Sequence, residues 1–270
     1  MRRWLMAIIL ALGSVVQIAA QNVIGVAFYD VEAMYDTIPS SSYNDSDYTP
    51  QGRRAWGEER YRRKVEHTAE VIDSMAMDVV ALYGVESEQV VRDIAMACKS
   101  DYAYLHSEQS GSSGLDFALL YFADRFIPEH ITSWRGLLCV EGSARGRALT
   151  VVAAYRSTAI GALLQQRQLR QKGDVVLIGR MSDVERFGLK DYSKDGELRG
   201  EGNVVGGEGW IMRDRVSSNA EDVVRSGVYI KPWLLDRRGR PKATFDRKYY
   251  YGGYSSALPV FIYLGEKFVY

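Results

Sequence analysis

Cysteine and histidine are scarce in this chain of 270 residues, which has two of the first and three of the second. Cys98 and Cys139 cannot define a disulfide framework, so a small stapled scaffold is excluded. One falls in a helical pattern and the other in a strand-like one. Both read as small apolar core residues, with pairing between them left open. His67, His106 and His130 lie too far apart for zinc-type spacing, so a metal site built on histidine is not expected. An excess of one charge is missing too: Lys and Arg together number 34, and so do Asp and Glu. No overall field therefore draws the chain to nucleic acid or to an acidic lipid surface. Low-complexity tracts and internal repeats are absent, and with 47% hydrophobic residues one large globular domain is the expectation.

What is present begins with "MRRWLMAIILALGSVVQIAAQ". Arg2 and Arg3, an apolar centre, then Ala19 and Ala20 have the anatomy of a secretory signal peptide cleaved after Ala20. Gly13, Ser14 and Gln17 interrupt the apolar run, which is short for a membrane span. Residues 1–20 therefore read as a signal peptide and 21–270 as the exported domain, with no transmembrane segment after cleavage. The residue directly after the cleavage point is Gln21 and not cysteine, so a lipid anchor is not indicated. The expected location is the periplasm, or the outer membrane surface and beyond.

Strand and helix signals then alternate. "VIGVAFYDV" (23–31) reads as a buried strand by its β-branched and aromatic content. A long polar loop, "DTIPSSSYNDSDYTPQG", follows. From Glu58 onward Val65, Ala69, Ile72 and Met75 repeat on one helical face. "DVVALYGVE" (78–86) is a strand, and "SEQVVRDIAMACKS" a helix capped by Ser87. "YAYLHSE", "LDFALLYFADRF", "GLLCVEGS" and "RALTVVAAYRST" read as strands, "AIGALLQQRQLRQK" as a helix, and "DVVLIGRMSD" as a strand ending at Gly179. "GEGNVVGGEG" (200–209) is a glycine-rich hairpin loop, without the strand–helix setting of a phosphate cradle. "RRAWGEERYRRK" (53–64) and "DRRGRPK" (236–242) read as solvated basic faces compensated by neighbouring acids. The tyrosines of "YYYGGY" read as packing beside a sheet edge.

The order of these phrases resembles the endonuclease/exonuclease/phosphatase superfamily of DNase I-like enzymes, especially its exported bacterial members. "FYDVEAMYD" is similar to the family's "fyNvENlfD", and "DVVALYGVES" stands where "Dii.LqEVEN" is expected. "SGLDFALLY" stands for "RGIDvALLY", "VVAAYRST" for "v.vnHWPSR", "VVLIGRMSD" for "iiimGDFND", and "YYYGGYSSALPVFIYL" for "kY.GGYSDHlPVyv.L". "YTPQGRRAWGEERYRRKVEHTAEVI" is similar to a further family segment. The resemblance runs from about Val23 to Leu264. It implies an α+β, four-layer α/β/β/α sandwich with two mixed sheets packed face to face and helices outside.

The resemblance also implies metal-assisted phosphoester hydrolysis, and at each key position this sequence departs from it. The metal-binding Glu falls on Gly84, with Glu86 two residues on, and the catalytic His of "HWPS" falls on Ala154. The Asp of "GDFND" falls on Arg180 and its Asn on Ser182, followed by Asp183. The final Asp and His fall on Ser256 and Ala257, the first-strand Asn on Asp30, and the family arginine on Ser113. Asp30, Glu32, Glu86, Asp116, Asp183 and Asp214 remain as carboxylates. Gly84, Ala154, Arg180, Ser182, Ser256 and Ala257 are expected to meet in one shallow depression. The functional expectation is an exported pseudoenzyme without catalytic, cofactor or metal residues. It would bind an envelope protein, for instance in a secretion or surface-assembly machine, and nucleic acid is not its expected partner. The alternative is a metal-dependent phosphoesterase or nuclease with a rearranged site, a weak magnesium site on Asp30 and Asp183 being its starting point.

Overall fold

A computed structural model describes residues 23–107, 113–134, 136–156, 159–166, 173–207, 209–247 and 249–265. The expected signal peptide, 1–20, lies outside the described residues, as does the second half of the helix expected over 159–172. Two six-stranded mixed sheets pack face to face. The first contains β1 (Ile24–Met34), β2 (Val79–Val85), β3 (Ala103–His106), β4 (Asp116–Tyr121), β13 (Val223–Val228) and β16 (Val260–Leu264). Their order across the sheet is β13-β16-β1-β2-β4-β3. The second contains β5 (Phe126–Trp134), β6 (Leu137–Ala144), β7 (Arg147–Tyr155), β8 (Asp174–Arg180), β9 (Lys190–Asp191) and β12 (Arg215–Ser218). Their order is β5-β6-β7-β8-β12-β9. The parallel pairs β1–β2 and β7–β8 lie at the middle of their respective sheets.

Period-2 alternation decides which side chains face which layer. Along β1, Ile24, Val26 and Phe28 enter the core between the sheets, while Ala27, Tyr29 and Val31 face outward. That outward face is covered by α1 (Glu58–Met75) and α2 (Glu88–Ala97). Tyr61, Val65, Ala69, Ile72 and Met75 form the buried stripe of α1. Glu58 and Glu59 in its first turn favour the positive end of the helix dipole. Ser87 caps α2, its hydroxyl accepting from the Val90 N–H at 3.4 Å. On the other sheet, Val152, Ala154, Val175 and Leu177 face outward under α3 (Ile160–Gln166), and a short α4 (Lys194–Leu198) precedes β12. Helices thus flank two packed sheets, as the α/β/β/α expectation had it.

The structure departs from the sequence reading in particular elements. β5 is a nine-residue edge strand where none was expected, because Pro128, Glu129 and His130 interrupt the alternation. Proline is tolerated there because an edge strand leaves one row of N–H groups without a partner. β1 runs three residues beyond Val31, through a register shift between Asp30 and Met34. The glycine-rich segment forms a small hairpin of β10 (Val204–Gly206) and β11 (Gly209–Ile211). A second hairpin joins β14 (Phe245–Asp246) to β15 (Tyr249–Tyr250). Cys98 closes α2 against the core under α1, whereas Cys139 lies under α3 across the sandwich, so the two thiols do not meet. Among the described residues no helix is long and apolar enough to cross a membrane.

Candidate functional site

At one end of the inter-sheet core, β1, β2, β7 and β8 deliver their next inward-facing residues to one place. Asp30 follows Val26 and Phe28, Arg180 follows Val176 and Ile178, Tyr155 follows Val151 and Ala153, and Tyr83 follows Val79 and Ala81. Tyr83 and Tyr155 stack across the sandwich with ring centroids 3.9 Å apart. The Arg180 guanidinium lies 4.4 Å from the Tyr155 centroid and donates to its hydroxyl at 2.6 Å.

A second arginine arrives from the segment before β12. Arg213 Nη2 donates to Asp30 Oδ2 at 2.7 Å and to Asp214 Oδ2 at 3.0 Å. Asp214 also accepts from the Asn203 amide at 2.6 Å, and Asn203 Oδ1 in turn accepts the backbone N–H groups of Arg213 and Asp214. Arg180 approaches Asp30 at 3.5 Å and Asp214 at 3.6 Å. Two guanidiniums and two carboxylates close into a formally neutral quartet. Such buried pairs are retained when each charge has its partner, because an isolated one is expensive to bury.

The expected site positions do not all converge. Asp30 and Arg180 do, within the quartet. Ala257 is close by through Ser255, whose hydroxyl donates to the Asp30 carbonyl at 2.7 Å and accepts the Ala257 N–H at 3.2 Å. Gly84 sits under the β1 shift, with the Glu32 carbonyl so near that an added Cβ would lie 1.9 Å from its oxygen. Ala154 faces the outer layer beneath α3, and Tyr155 holds the inward position instead. Glu86 is turned away to the loop after β1, accepting from the Asp36 N–H at 2.6 Å and the Tyr43 hydroxyl at 2.9 Å. The β2 strand shifts register between Tyr83 and Val85, so Glu86 does not continue its inward face. Ser182 and Asp183 are exposed ahead of the 3-10 turn Val184–Phe187, and Ser256 borders a groove shared with Gly253 and Tyr254. A single depression formed by all six predicted positions is therefore corrected to a quartet in which, of the six, only Arg180 takes part, joined by Asp30, Arg213 and Asp214.

Arg213, Asn203, Tyr83 and Tyr155 were missed by sequence reasoning. The alternation along β7 was the available signal for Tyr155, since Val151 and Ala153 share its face. Nothing local announces that Arg213 returns to a residue 183 positions earlier.

Below the quartet, Lys64 of α1 is buried, its ammonium donating to Thr244 Oγ1 at 2.7 Å and to the Tyr254 carbonyl. Burial lowers it to about 8. Thr244 N–H donates to Glu32 Oε2 at 3.0 Å, so Lys64 and Glu32 both anchor the 242–254 loop. His67 stacks on Tyr254 outside, with centroids 4.5 Å apart, rather than reaching the quartet.

Burial pushes Asp30 up to about 6; Arg213 opposes the shift and Asp214 adds to it. Burial likewise raises Glu86 to about 7, although the Asp36 N–H opposes it. Both folded-state values exceed those of an unfolded chain, so the folded protein binds more protons between about pH 4 and 7. Stability is therefore highest, for these two groups, below their unfolded values and is lost as pH rises through 6 and then 7. Melting temperature is expected to fall across that range. Glu86→Gln should remove the upper part of the slope, and a variant with the wild-type slope would refute the assignment.

The family fold implies a divalent cation, and the donors here do not fit one. Asp30 and Asp214 are held by guanidiniums, Glu86 faces elsewhere, and position 84 offers no side chain. Hard cations require several oxygen ligands free to converge, and two permanent positive charges occupy the approach. Among the described residues no three His, Cys, Asp or Glu side chains form a metal-binding group.

A family model described as Endonuclease/Exonuclease/phosphatase family matches residues 25–173. Among solved structures, an endonuclease/exonuclease/phosphatase family protein from Bacteroides thetaiotaomicron is similar over 91% of this chain and 95% of that one. Its identity is 15% and its TM-score 0.57. The mannosyl-6-phosphatase of Bacteroides thetaiotaomicron matches at 14% identity and TM-score 0.56, covering 88% and 98% of the two chains. Truncated TDP2 from Caenorhabditis elegans matches at 12% identity and TM-score 0.57, covering 90% and 98%. At such identities the likeness is one of fold. No curated protein sequence matches the chain.

Proposed function

The chain belongs to the endonuclease/exonuclease/phosphatase family, and from that premise we propose that it is a non-catalytic member acting by binding, as an exported subunit of the cell envelope. One observation carries the reading: Arg180 and Arg213 bridge Asp30 and Asp214 where the strand ends meet. Function follows from such a site and not from the fold that hosts it.

Metal-assisted hydrolysis needs carboxylates to hold the ion and a positioned base or proton donor. The quartet supplies neither. Its carboxylates neutralise guanidiniums, and its hydroxyl, Tyr155, accepts from Arg180. Ser255 is committed to the Asp30 backbone, and His67 is engaged by the Gly253 carbonyl and the Tyr254 ring rather than by the Ser255 hydroxyl. The quartet instead ties both sheets together across the core, which suits a scaffold. Export rests on the composition of residues 1–20, and the envelope partner is a matter of the same proposal.

The test is hydrolysis of DNA, RNA and a phosphomonoester with magnesium or manganese, with and without chelator. No turnover above buffer is expected. Metal-dependent turnover abolished by chelator and by Asp30→Ala would overturn the reading in favour of a rearranged phosphoesterase.

A further inference from the structure

The face around the β14–β15 hairpin is rich in positive charge, although the whole chain is balanced. Arg54 lies 4.7 Å from the Tyr48 ring centroid and 4.5 Å from that of Phe245, and Arg60 lies 4.3 Å from that of Tyr250. Arg60 also donates to the Arg54 carbonyl, so the two are held by stacking and a hydrogen bond, and among the described residues neither has an ion pair. Past the hairpin, Arg240 is neutralised by Asp236 at 3.1 Å. Among the described residues Arg237, Arg238, Lys242 and Arg247 have no such ion pair. The two basic runs read from sequence as compensated faces therefore converge on one surface, where six cations lack an acid partner.

Two of these cations, Arg238 and Lys242, line a groove of about 790 Å³ together with Asp246, Tyr251 and Tyr254, with Phe245 and Pro241 adding apolar surface. Tyr251 is 67% exposed. With Arg240 paired to Asp236, the groove lining keeps Arg238 and Lys242 against the single carboxylate of Asp246, a local excess of positive charge that attracts acidic groups. Stacking on rings holds Arg54 and Arg60 beside the hairpin, next to the groove and outside its lining.

We propose that this groove binds an extended acidic peptide segment of a partner protein, its carboxylates meeting Arg238 and Lys242 and its apolar side chains meeting Phe245 and Tyr251. Peptide is favoured over nucleic acid by Asp236 and Asp246, which line the same groove. A phosphodiester places a charge at every nucleotide and meets those carboxylates; a peptide can space its acids around them. The inference rests on the binding reading above and gives it a face. The two remain separable, because the groove is tested by binding and the quartet by hydrolysis.

The experiment titrates the full chain against a fluorescein-labelled peptide of about ten residues alternating Glu and Phe, read by anisotropy. Its Gln/Phe counterpart and an oligothymidine of similar length are the comparators. The acidic peptide is expected to bind more tightly than either. Arg238→Ala/Lys242→Ala should weaken binding roughly tenfold, and raising salt to about 0.5 M should weaken it as well. Lys190→Ala, on the distant β9, should leave binding unchanged. Equal binding of the Glu and Gln peptides, or an unaffected double variant, overturns the proposal. Tighter binding of oligothymidine also overturns it and assigns the face to nucleic acid.

Discussion

Gly84→Ala is expected to destabilise the protein by roughly 3 kcal/mol or more, lowering the melting temperature by about 10 °C. Gly84 has φ +98°, and the Cβ of any other residue would sit 1.9 Å from the Glu32 carbonyl oxygen. Glu32 itself is left-handed at φ 64°, so both strands are irregular at this level. A control separates the two costs. Gly146 has φ +80° but open space around its missing Cβ, so Gly146→Ala carries backbone strain alone, about 1–2 kcal/mol. Equal losses at the two positions in thermal and denaturant unfolding would refute the close-approach argument. The consequence for function is direct. The family's metal-binding carboxylate cannot be restored by Gly84→Glu without first moving β1. A variant combining it with Arg180→Asp, Ser256→Asp and Ala257→His should therefore remain inactive while losing stability.

Arg213→Met is expected to cost about 3–5 kcal/mol near neutral pH, since it strands Asp30 and Asp214 in a buried site. Adding Asp30→Asn should recover part of that loss, with a coupling energy of about 1–3 kcal/mol in the double-mutant cycle. Lowering the pH should rescue the single variant, because Asp30 already titrates near 6 and loses its strongest opposing cation. The sign follows from linkage: a carboxyl raised further in the folded state contributes stability below its unfolded value and loses it as pH rises. Additive effects in the cycle, or no rescue at acid pH, would show that Arg213 is an ordinary surface arginine.

Much of the framework was legible because it depends on local periodicity. The continuous β-branched and aromatic run of 23–31 marks a buried strand, and β1 is buried on both faces, with Ile24, Val26 and Phe28 on one and Ala27, Tyr29 and Val31 on the other. The spacing of Val65, Ala69, Ile72 and Met75 marks the stripe of α1, and Ser87 its neighbour's cap. β5 escaped because Pro128 and exposed charge erase the pattern at an edge. The family phrase puts Ala154 at the site, whereas the alternation of Val151, Ala153 and Tyr155 places Tyr155 inward and Ala154 under α3.

By itself, then, the sequence determined the layers, the family order of strands and the loss of family side chains, since these follow from residue identity and short-range period. The tertiary structure alone decided what took their place. Arg213 meets Asp30 across 183 residues, and Glu86 abandons the cleft for the loop after β1 because two strands shift register together at Gly84. Strand period fixes which face a side chain takes, but not which distant charge it will meet there. That pairing is set by how the sheets pack and by the cost of burying any charge alone.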